Sequence, residues 1–198
     1  MNITLLHLAE ILSGKVVSGE EDRVLPGEVN TDSRKNLPGS VFFALSGERF
    51  DGNDYAVAAV ENGAAAVVVS KPVHGIPAEC GVILVPDTLA ALQTLAAWWR
   101  GRLNHLKVVG ITGSNGKTST KDFTKSVLGR KYKTISTLGN LNNHIGVPLS
   151  ILQTSESDEA AVWEMGMNHK GELAPLCSMT APQIGIITNI GTAHIEFM

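Results

Sequence analysis

Apolar and polar residues follow two different patterns along this chain, and the pattern changes near residue 106. Before that point, an apolar stripe at helical spacing over residues 4 to 12 predicts a short helix that begins behind Thr4. Apolar runs predict strands at 41 to 45, 65 to 69 and 82 to 85, with an amphipathic helix around 55 to 61. The first part is therefore expected to be a small α/β domain.

A long amphipathic segment, DTLAALQTLAAWWRGRLNH, follows this first part. Leu89, Leu92 and Leu95 fall on one face at helical spacing, which predicts a helix. We expect it to connect two domains. The predicted organisation is a first domain over residues 1–86, a connecting helix over 87–106 and a second domain over 107–198.

The second domain alternates predicted strands and helices. Strands are predicted at 107–112, 132–136, 161–165 and 184–188, and helices at 116–129, 144–153 and 171–179. Several of these strands are apolar on both faces, which is typical of a parallel sheet covered by helices on both sides. Ligands of such sheets bind at the carboxyl ends of the strands. We expect the turn after residue 112, Glu164 and the segment 188–194 to share that edge.

Composition narrows the possible functions. The chain has 198 residues, 43% of them hydrophobic, which is sufficient for a folded core. Lys and Arg number 16 against 19 Asp and Glu, so a broad surface for nucleic acid is not expected and any anion site must be local. The two cysteines, Cys80 and Cys177, lack metal-ligand spacing and favour reduced thiols. With no targeting or bilayer-spanning segment evident, we expect a cytoplasmic protein without membrane insertion.

The stretch GITGSNGKTSTKD, residues 110–122, follows the first apolar strand of the second domain. Glycines let a backbone curl with its N–H groups inward, a lysine can meet terminal phosphates, and a hydroxyl can hold Mg²⁺. Gly113, Gly116, Lys117 and Thr118 supply these parts in a shorter spacing than the common phosphate-binding loop. The alternative is a plain strand-to-helix turn capped by Ser114 or Asn115.

Five stretches together resemble the Mur ligase family of peptidoglycan synthesis. They are TDSRKNLPGSVFFALSGERFDGNDYAVAAVENGAAAVVVSK at 31–71, TGSNGKTSTKD at 112–122, GNLNNHIGVPLSIL at 139–152, EMGMNHKGEL at 164–173 and ITNIGTAH at 187–194. The similarity covers nearly the whole chain and is strongest to the member that adds D-alanyl-D-alanine. The combination is specific, whereas the glycine turn alone would not be.

The resemblance implies an ATP-dependent amide ligase with Mg²⁺. Its substrates would be UDP-N-acetylmuramoyl-tripeptide and D-alanyl-D-alanine, joined through an acyl phosphate. It also implies that residues 1–86 form a small α/β UDP-substrate-binding domain and that 107–198 form an incomplete parallel-sheet ATP-binding domain. The family's carboxyl-terminal domain has no counterpart here, so we expect this chain alone to be inactive in ligation.

The resemblance also assigns roles to individual residues. Lys117, Glu164 and His194 are the expected catalytic residues, and Thr118, Glu164 and His194 the expected metal ligands. The expected ATP-binding residues are Gly113, Ser114, Asn115, Gly116, Lys117, Thr118 and Ser119. The expected substrate-binding residues are Ser33, Arg34, Gly47, Glu48, Arg49, Asn140, Asn142 and Asn143.

Several of these residues have plainer interpretations from the sequence alone. A glutamate at a strand end is usually solvated, and asparagines next to a glycine favour a turn. Arg34 could pair with Asp32 instead of contacting substrate. Arg49 suits a diphosphate because a guanidinium can bind two phosphate oxygens at once.

Other functions remain open at this stage. One is a sister ligase that adds a diamino acid to the dipeptide precursor, or a ligase of the folylpolyglutamate type. Another is a non-catalytic module that binds a UDP-sugar or a nucleotide. An ordinary phosphate-loop kinase or GTPase is less favoured, because no guanine-reading or kinase signature is evident.

Overall fold

The computed structural model describes residues 2–26, 28–35, 38–47 and 50–191. The chain forms two compact units, Met1–Leu95 and Ala96–Met198. Within the described ranges, no helix has both the length and the apolar character that a bilayer crossing requires.

The first unit is built on a five-stranded sheet. Its elements, followed by the helix that leads into the second unit, are β1 (Ile3–Thr4), α1 (Leu5–Ile11), β2 (Lys15–Ser18), β3 (Val24–Leu25), β4 (Val29–Asn30), β5 (Val41–Phe43), α2 (Ala56–Glu61), β6 (Ala66–Val69), β7 (Gly81–Leu84) and α3 (Thr88–Arg102). The strand order is β2-β7-β6-β5-β4, and all neighbours are parallel except β2 and β7. Strands β1 and β3 form a separate antiparallel pair.

Apolar burial explains the centre of this unit. Every residue of β6 is buried, as the continuous apolar run predicts for a strand covered on both faces. Phe42 of β5 and Ala59 of α2 pack in the same apolar cluster as Val67 of β6. The predicted helix behind Thr4 is also present. Thr4 caps its amino terminus, since the Thr4 hydroxyl accepts a hydrogen bond from the His7 N–H at 3.2 Å.

The sequence analysis missed strand β2. Its four residues, KVVS, alternate between exposed and half-buried positions at the edge of the sheet. So short a segment has too few apolar positions to give a distinct period, and it is ordered by pairing with β7. Strand β4 of the same sheet was also missed, whereas β5, β6 and β7 correspond to the three strands predicted in the first domain.

The second unit is an α/β layer with an all-parallel sheet, as predicted. After the end of α3, its elements are β8 (Lys107–Thr112), α4 (Lys117–Leu128), β9 (Thr134–Ser136), α5 (Gly146–Leu152), β10 (Ala160–Glu164), α6 (Leu173–Thr180) and β11 (Ile184–Ile187). The strand order is β11-β8-β10-β9. All five residues of β10 are buried, so both faces of the sheet are covered at its centre.

A buried guanidinium stabilises the end of α6 in this unit. Arg100 donates hydrogen bonds to the carbonyl oxygens of Thr180, Ala181 and Leu103 at 2.9, 3.2 and 3.0 Å. Burial lowers the pKa of this guanidinium from its usual value. A cation at a helix carboxyl terminus satisfies carbonyl groups that have no partner within the helix.

Candidate active site

Three chain segments meet at the carboxyl edge of the second sheet. Glu164 at the end of β10 lies opposite Ile111 of β8, and Ile187 of β11 lies opposite Thr112. Because neighbouring parallel strands end together, the loops after β8, β10 and β11 emerge side by side. The predicted common edge is therefore present for the glycine turn, for Glu164 and for the start of the segment 188–194.

The glycine turn connects β8 to α4 through two unusual backbone conformations. Gly113 has a φ of +134° and Gly116 a φ of +79°. A Cβ atom on Gly113 would lie 2.1 Å from the hydroxyl oxygen of Thr188, so no larger residue fits without displacing the neighbouring strand end. These glycines let the chain turn sharply and begin α4 at Lys117.

The segment after β11 holds this turn in place. The backbone oxygen of Asn189 accepts a hydrogen bond from the Ser114 N–H at 3.1 Å, and its side-chain oxygen accepts one from the Asn115 N–H at 2.8 Å. The Thr188 hydroxyl donates to the Asn115 carbonyl at 2.6 Å. Sequence reasoning missed Asn189 as a supporting residue, although it lies within the ITNIGTAH stretch.

These contacts reduce the number of backbone N–H groups in the turn that remain for a phosphate. The N–H groups of Ser114 and Asn115 are already used inside the protein. Within the described part of the chain, the N–H groups of the next four residues, Gly116 to Ser119, find no hydrogen-bond acceptor. They form the amino terminus of α4, where exposed N–H groups and the helix dipole favour an anion.

Lys117 places a positive charge over the same turn. Its Nζ atom donates to the Gly113 carbonyl at 2.6 Å and to the Ser114 carbonyl at 3.3 Å. The side chain lines two cavities, one of about 230 Å³ beside the turn and one of about 360 Å³ that also contacts Asn142 and Glu172. Lys117 thus borders both spaces.

Thr118 and Glu164 come together although 46 positions separate them. The Thr118 hydroxyl donates to Oε2 of Glu164 at 2.9 Å, and the Asn142 amide donates to Oε1 at 2.8 Å. Glu164 is only 1% exposed, so the solvated interpretation of this residue is wrong. Among the described residues, no lysine, arginine or histidine forms an ion pair with this carboxylate.

A buried carboxylate held by neutral donors is suited to a cation. Removing a charge from water is costly unless it gains a partner of opposite charge. One carboxylate and one hydroxyl are the hard oxygen donors that Mg²⁺ prefers, with water or phosphate oxygens as further ligands. In the described ranges, no cluster of three or more His, Cys, Asp or Glu residues could form a metal site from protein alone.

The asparagine cluster has mainly internal partners. Besides the Asn142 contact with Glu164, the Asn143 side chain accepts hydrogen bonds from the N–H groups of Ile145 and Gly146 at the start of α5. The Asn140 carbonyl accepts from the Asn142 N–H at 2.7 Å within a turn. Asn142 and Asn143 also line the 360 Å³ cavity.

In the first unit, Arg34 forms the ion pair that the sequence left as an alternative. Its Nε and Nη2 atoms donate to the two carboxylate oxygens of Asp32, each at 2.9 Å. Hydrogen bonding by Arg34 lowers the pKa of Asp32 to about 2. Ser33 and Arg34 line a cleft of about 470 Å³ together with Phe50, which is 58% exposed, and Tyr55, which is 50% exposed.

Sequence reasoning did not identify Phe50 and Tyr55. Only 5% of the chain is aromatic, so two aromatic residues five positions apart and close to Gly47 are unusual. Their spacing could have indicated a ligand cleft at this point of the chain. Gly47 itself donates its N–H to the Phe50 carbonyl at 2.9 Å. Three predicted site residues, Glu48, Arg49 and His194, lie outside the described residues.

A polar network supports the loop around Gly47. Lys71 donates to Asp51 at 2.7 Å, while the buried Asn53 bonds both Asp51 and Ser70. The hydrogen bond from Lys71 is the main reason why the pKa of Asp51 is held well below its usual value. The network holds Asp51 and Asn53 against the segment that follows β6.

Comparison with known proteins gives a consistent result. A sequence model described as "Mur ligase family, catalytic domain" matches residues 27–100, and one described as "Mur ligase middle domain" matches residues 111–198. The UDP-N-acetylmuramoyl-tripeptide--D-alanyl-D-alanine ligase of Bacillus subtilis is 44% identical over 193 residues. That alignment covers 98% of this chain and 42% of the relative.

Solved structures agree with the sequence relatives. A crystal structure of MurF from Acinetobacter baumannii superposes with a TM-score of 0.91 at 36% identity, covering all of this chain and 43% of that chain. MurF ligase from Thermotoga maritima, crystallised in complex with ADP, gives a TM-score of 0.75 at 34% identity, over 85% of this chain and 38% of that one. The chain thus spans less than half the length of each of these proteins.

Proposed function

Because this chain belongs to the Mur ligase family, we propose that it supplies the UDP-substrate and nucleotide sites of an ATP-dependent amide ligase. The proposed reaction joins D-alanyl-D-alanine to UDP-N-acetylmuramoyl-tripeptide. The observation that carries the proposal is the contact of Thr118 with the buried Glu164 carboxylate beside Lys117. The chain that contains it is similar to a UDP-N-acetylmuramoyl-tripeptide--D-alanyl-D-alanine ligase.

The chemistry requires a carboxylate to become an acyl donor. A carboxylate resists attack because its carbon is shielded by delocalised charge and oxide is a very poor leaving group. Transfer of the γ-phosphoryl group of ATP to the terminal carboxylate of the tripeptide gives an acyl phosphate. The amine of D-alanyl-D-alanine then forms the amide bond and phosphate leaves. Both steps crowd oxyanions together, so oriented N–H groups and cations must stabilise them.

The residues of the glycine turn fit that requirement. The N–H groups of Gly116 to Ser119 would bind phosphate oxygens, and the Lys117 ammonium would lie against the terminal phosphates. Thr118 and Glu164 would hold Mg²⁺, and the resemblance adds His194 as a further ligand. When bound, Mg²⁺ supplies charge neutralisation at the phosphate oxygens.

The UDP moiety is proposed to bind in the cleft of the first unit. Ser33 and Arg34 lie along the cleft, and Phe50 and Tyr55 offer exposed aromatic faces against which a uracil ring could stack. The resemblance adds Glu48 and Arg49 beside Gly47 as the diphosphate loop. A reaction that consumes ATP and a nucleotide-linked precursor takes place in the cytoplasm, so we propose that location.

Calorimetric titration with the two precursors tests the substrate. We expect UDP-N-acetylmuramoyl-tripeptide to bind more tightly than the corresponding dipeptide precursor, and we expect no ligation when Mg²⁺–ATP and D-alanyl-D-alanine are added to the 198-residue chain. Tighter binding of the dipeptide would favour the sister ligase that adds a diamino acid. If neither precursor binds, the proposal is contradicted.

A further inference from the structure

A lysine ammonium is buried beneath the loop that follows β9. Lys121 lies on α4, one turn after Lys117, and is 3% exposed. Its Nζ atom lies 3.1 Å from the Thr137 carbonyl oxygen, 3.5 Å from that of Gly139 and 3.3 Å from Oδ1 of Asp122. These three acceptors match the three N–H donors of an ammonium group. Burying a charge is costly unless it is paired and hydrogen-bonded, and these contacts meet that requirement for Lys121.

The loop itself has little packing to hold it. Gly139 has a φ of +54°, and a Cβ placed on it would meet nothing within 4 Å. Leu138 beside it is exposed. Thr137 is buried and its N–H donates to the Val162 carbonyl, whereas the exposed residues after it depend on polar contacts, of which Lys121 supplies the one to Gly139.

The same loop carries two groups that contact Glu164. The Thr137 hydroxyl accepts a hydrogen bond from the Glu164 N–H at 2.9 Å, and Asn142 donates to Oε1 of Glu164. Asn142 is held from the other side, because its carbonyl accepts the Gly166 N–H at 2.7 Å. A shift of residues 137–139 would move the Thr137 contact with the Glu164 backbone and, through the loop that leads to Asn142, the contact with the Glu164 carboxylate.

We propose that Lys121 is a positioning residue, which fixes the loop after β9 so that Thr137 and Asn142 orient Glu164 toward a cation bound with Thr118. The inference rests on the proposed Mg²⁺–nucleotide site. It assigns Asn142 to the support of Glu164, in place of a direct substrate contact. Lys121 and Lys117 then act on the same site in different ways, since Lys117 faces the phosphates and Lys121 acts through the loop.

The test is the affinity for ADP, measured by calorimetry with Mg²⁺ and again with the metal chelated. In the unsubstituted chain we expect Mg²⁺ to strengthen binding. Lys121→Met should reduce this Mg²⁺ enhancement by about 10–100-fold, or abolish it if it is smaller, as is typical when a residue supporting a metal ligand is lost. Its metal-free affinity should stay within about twofold, because the turn at 113–116 is unchanged.

Two further variants make the test specific. Lys125→Met removes the same charge one turn later on α4, from an exposed position, and should leave the Mg²⁺ enhancement intact. Asn142→Ala removes the amide without burying or exposing a charge, and should lose the enhancement even if Lys121→Met fails to fold.

The outcomes separate the two proposals. If Lys121→Met folds, retention of the full Mg²⁺ enhancement overturns the positioning role alone. If it does not fold, retention by Asn142→Ala overturns it. If the unsubstituted chain binds ADP no better with Mg²⁺ than without, the proposed metal site and the inference built on it both fail.

Discussion

At the residue scale, the difference between a charge with a protein partner and a charge without one separates the two candidate regions. Arg34 and Asp32 satisfy each other on the surface of the first unit. Glu164, in contrast, is buried among neutral donors. The first arrangement is complete by itself, whereas the second leaves a negative charge for a ligand to compensate.

The Asp32–Arg34 pair gives a pH prediction. Substituting Arg34→Gln should raise the pKa of Asp32 from about 2 toward the ordinary value of 3.8, because the main hydrogen bond to its carboxylate is lost. The pair stabilises the folded state above pH 3.8, and this contribution disappears as the pH falls toward 2. NMR titration of the Asp32 carboxyl carbon measures the change.

Lys35→Gln is the matched control for that experiment. The Lys35 side chain acts on the Asp32 carboxylate through a weaker charge interaction, so the pKa should rise much less than with Arg34→Gln. Equal effects of the two substitutions would mean that general charge, and not the bidentate contact, lowers the pKa.

Individual residues were predictable where the sequence carried their chemistry directly. The shared position of Lys117, Thr118 and Glu164 at one edge of the sheet could be predicted, because a short glycine-rich turn and strand ends fix their places in a parallel sheet. The hydrogen bonds of Asn142 and Lys121 to the surroundings of Glu164 could not be, because they depend on the path of the loop at 137–143. No local pattern encodes that path.

At the element scale, the turn between β8 and α4 depends on the absence of a side chain. Gly113→Ala should destabilise the second unit by roughly 1–3 kcal/mol, since the added methyl group meets Thr188 and the backbone has a φ of +134°. Gly185→Ala on β11 faces open space and should change stability by less than about 0.5 kcal/mol.

Tryptophan fluorescence during urea unfolding can measure this effect. Trp98, Trp99 and Trp163 all belong to the unit Ala96–Met198, so the signal reports on that unit. Equal unfolding midpoints for the two alanine variants would contradict the steric argument for Gly113.

Elements with strong periodicity were predicted well and weakly patterned ones were not. β8 has the predicted bounds, and α4 differs from its prediction by one residue at each end. β2 and the two-residue strands β1, β3 and β4 were missed, because they owe their order to pairing with distant segments. The predicted α/β layering survives these omissions, since none of these strands lies in the second sheet.

At the scale of the whole molecule, two units each present a candidate ligand region. The first has a cleft with exposed aromatic and charged residues, and the second has a glycine turn at a helix amino terminus. The chain covers 42% of its Bacillus subtilis relative, so the proposed complete reaction involves more than these 198 residues. Ligand binding is therefore the property that can be measured on this chain.

The central claim is that the turn at 113–118 binds nucleotide phosphates through Lys117, and calorimetry with Mg²⁺–ADP tests it most directly. The unsubstituted chain should bind, and Lys117→Met should weaken binding by about tenfold or more, as expected for a charge-assisted hydrogen bond worth about 1.5–3 kcal/mol. Lys125→Met should bind as the unsubstituted chain does. Absence of binding by the unsubstituted chain, or an unchanged affinity in Lys117→Met, would contradict the account.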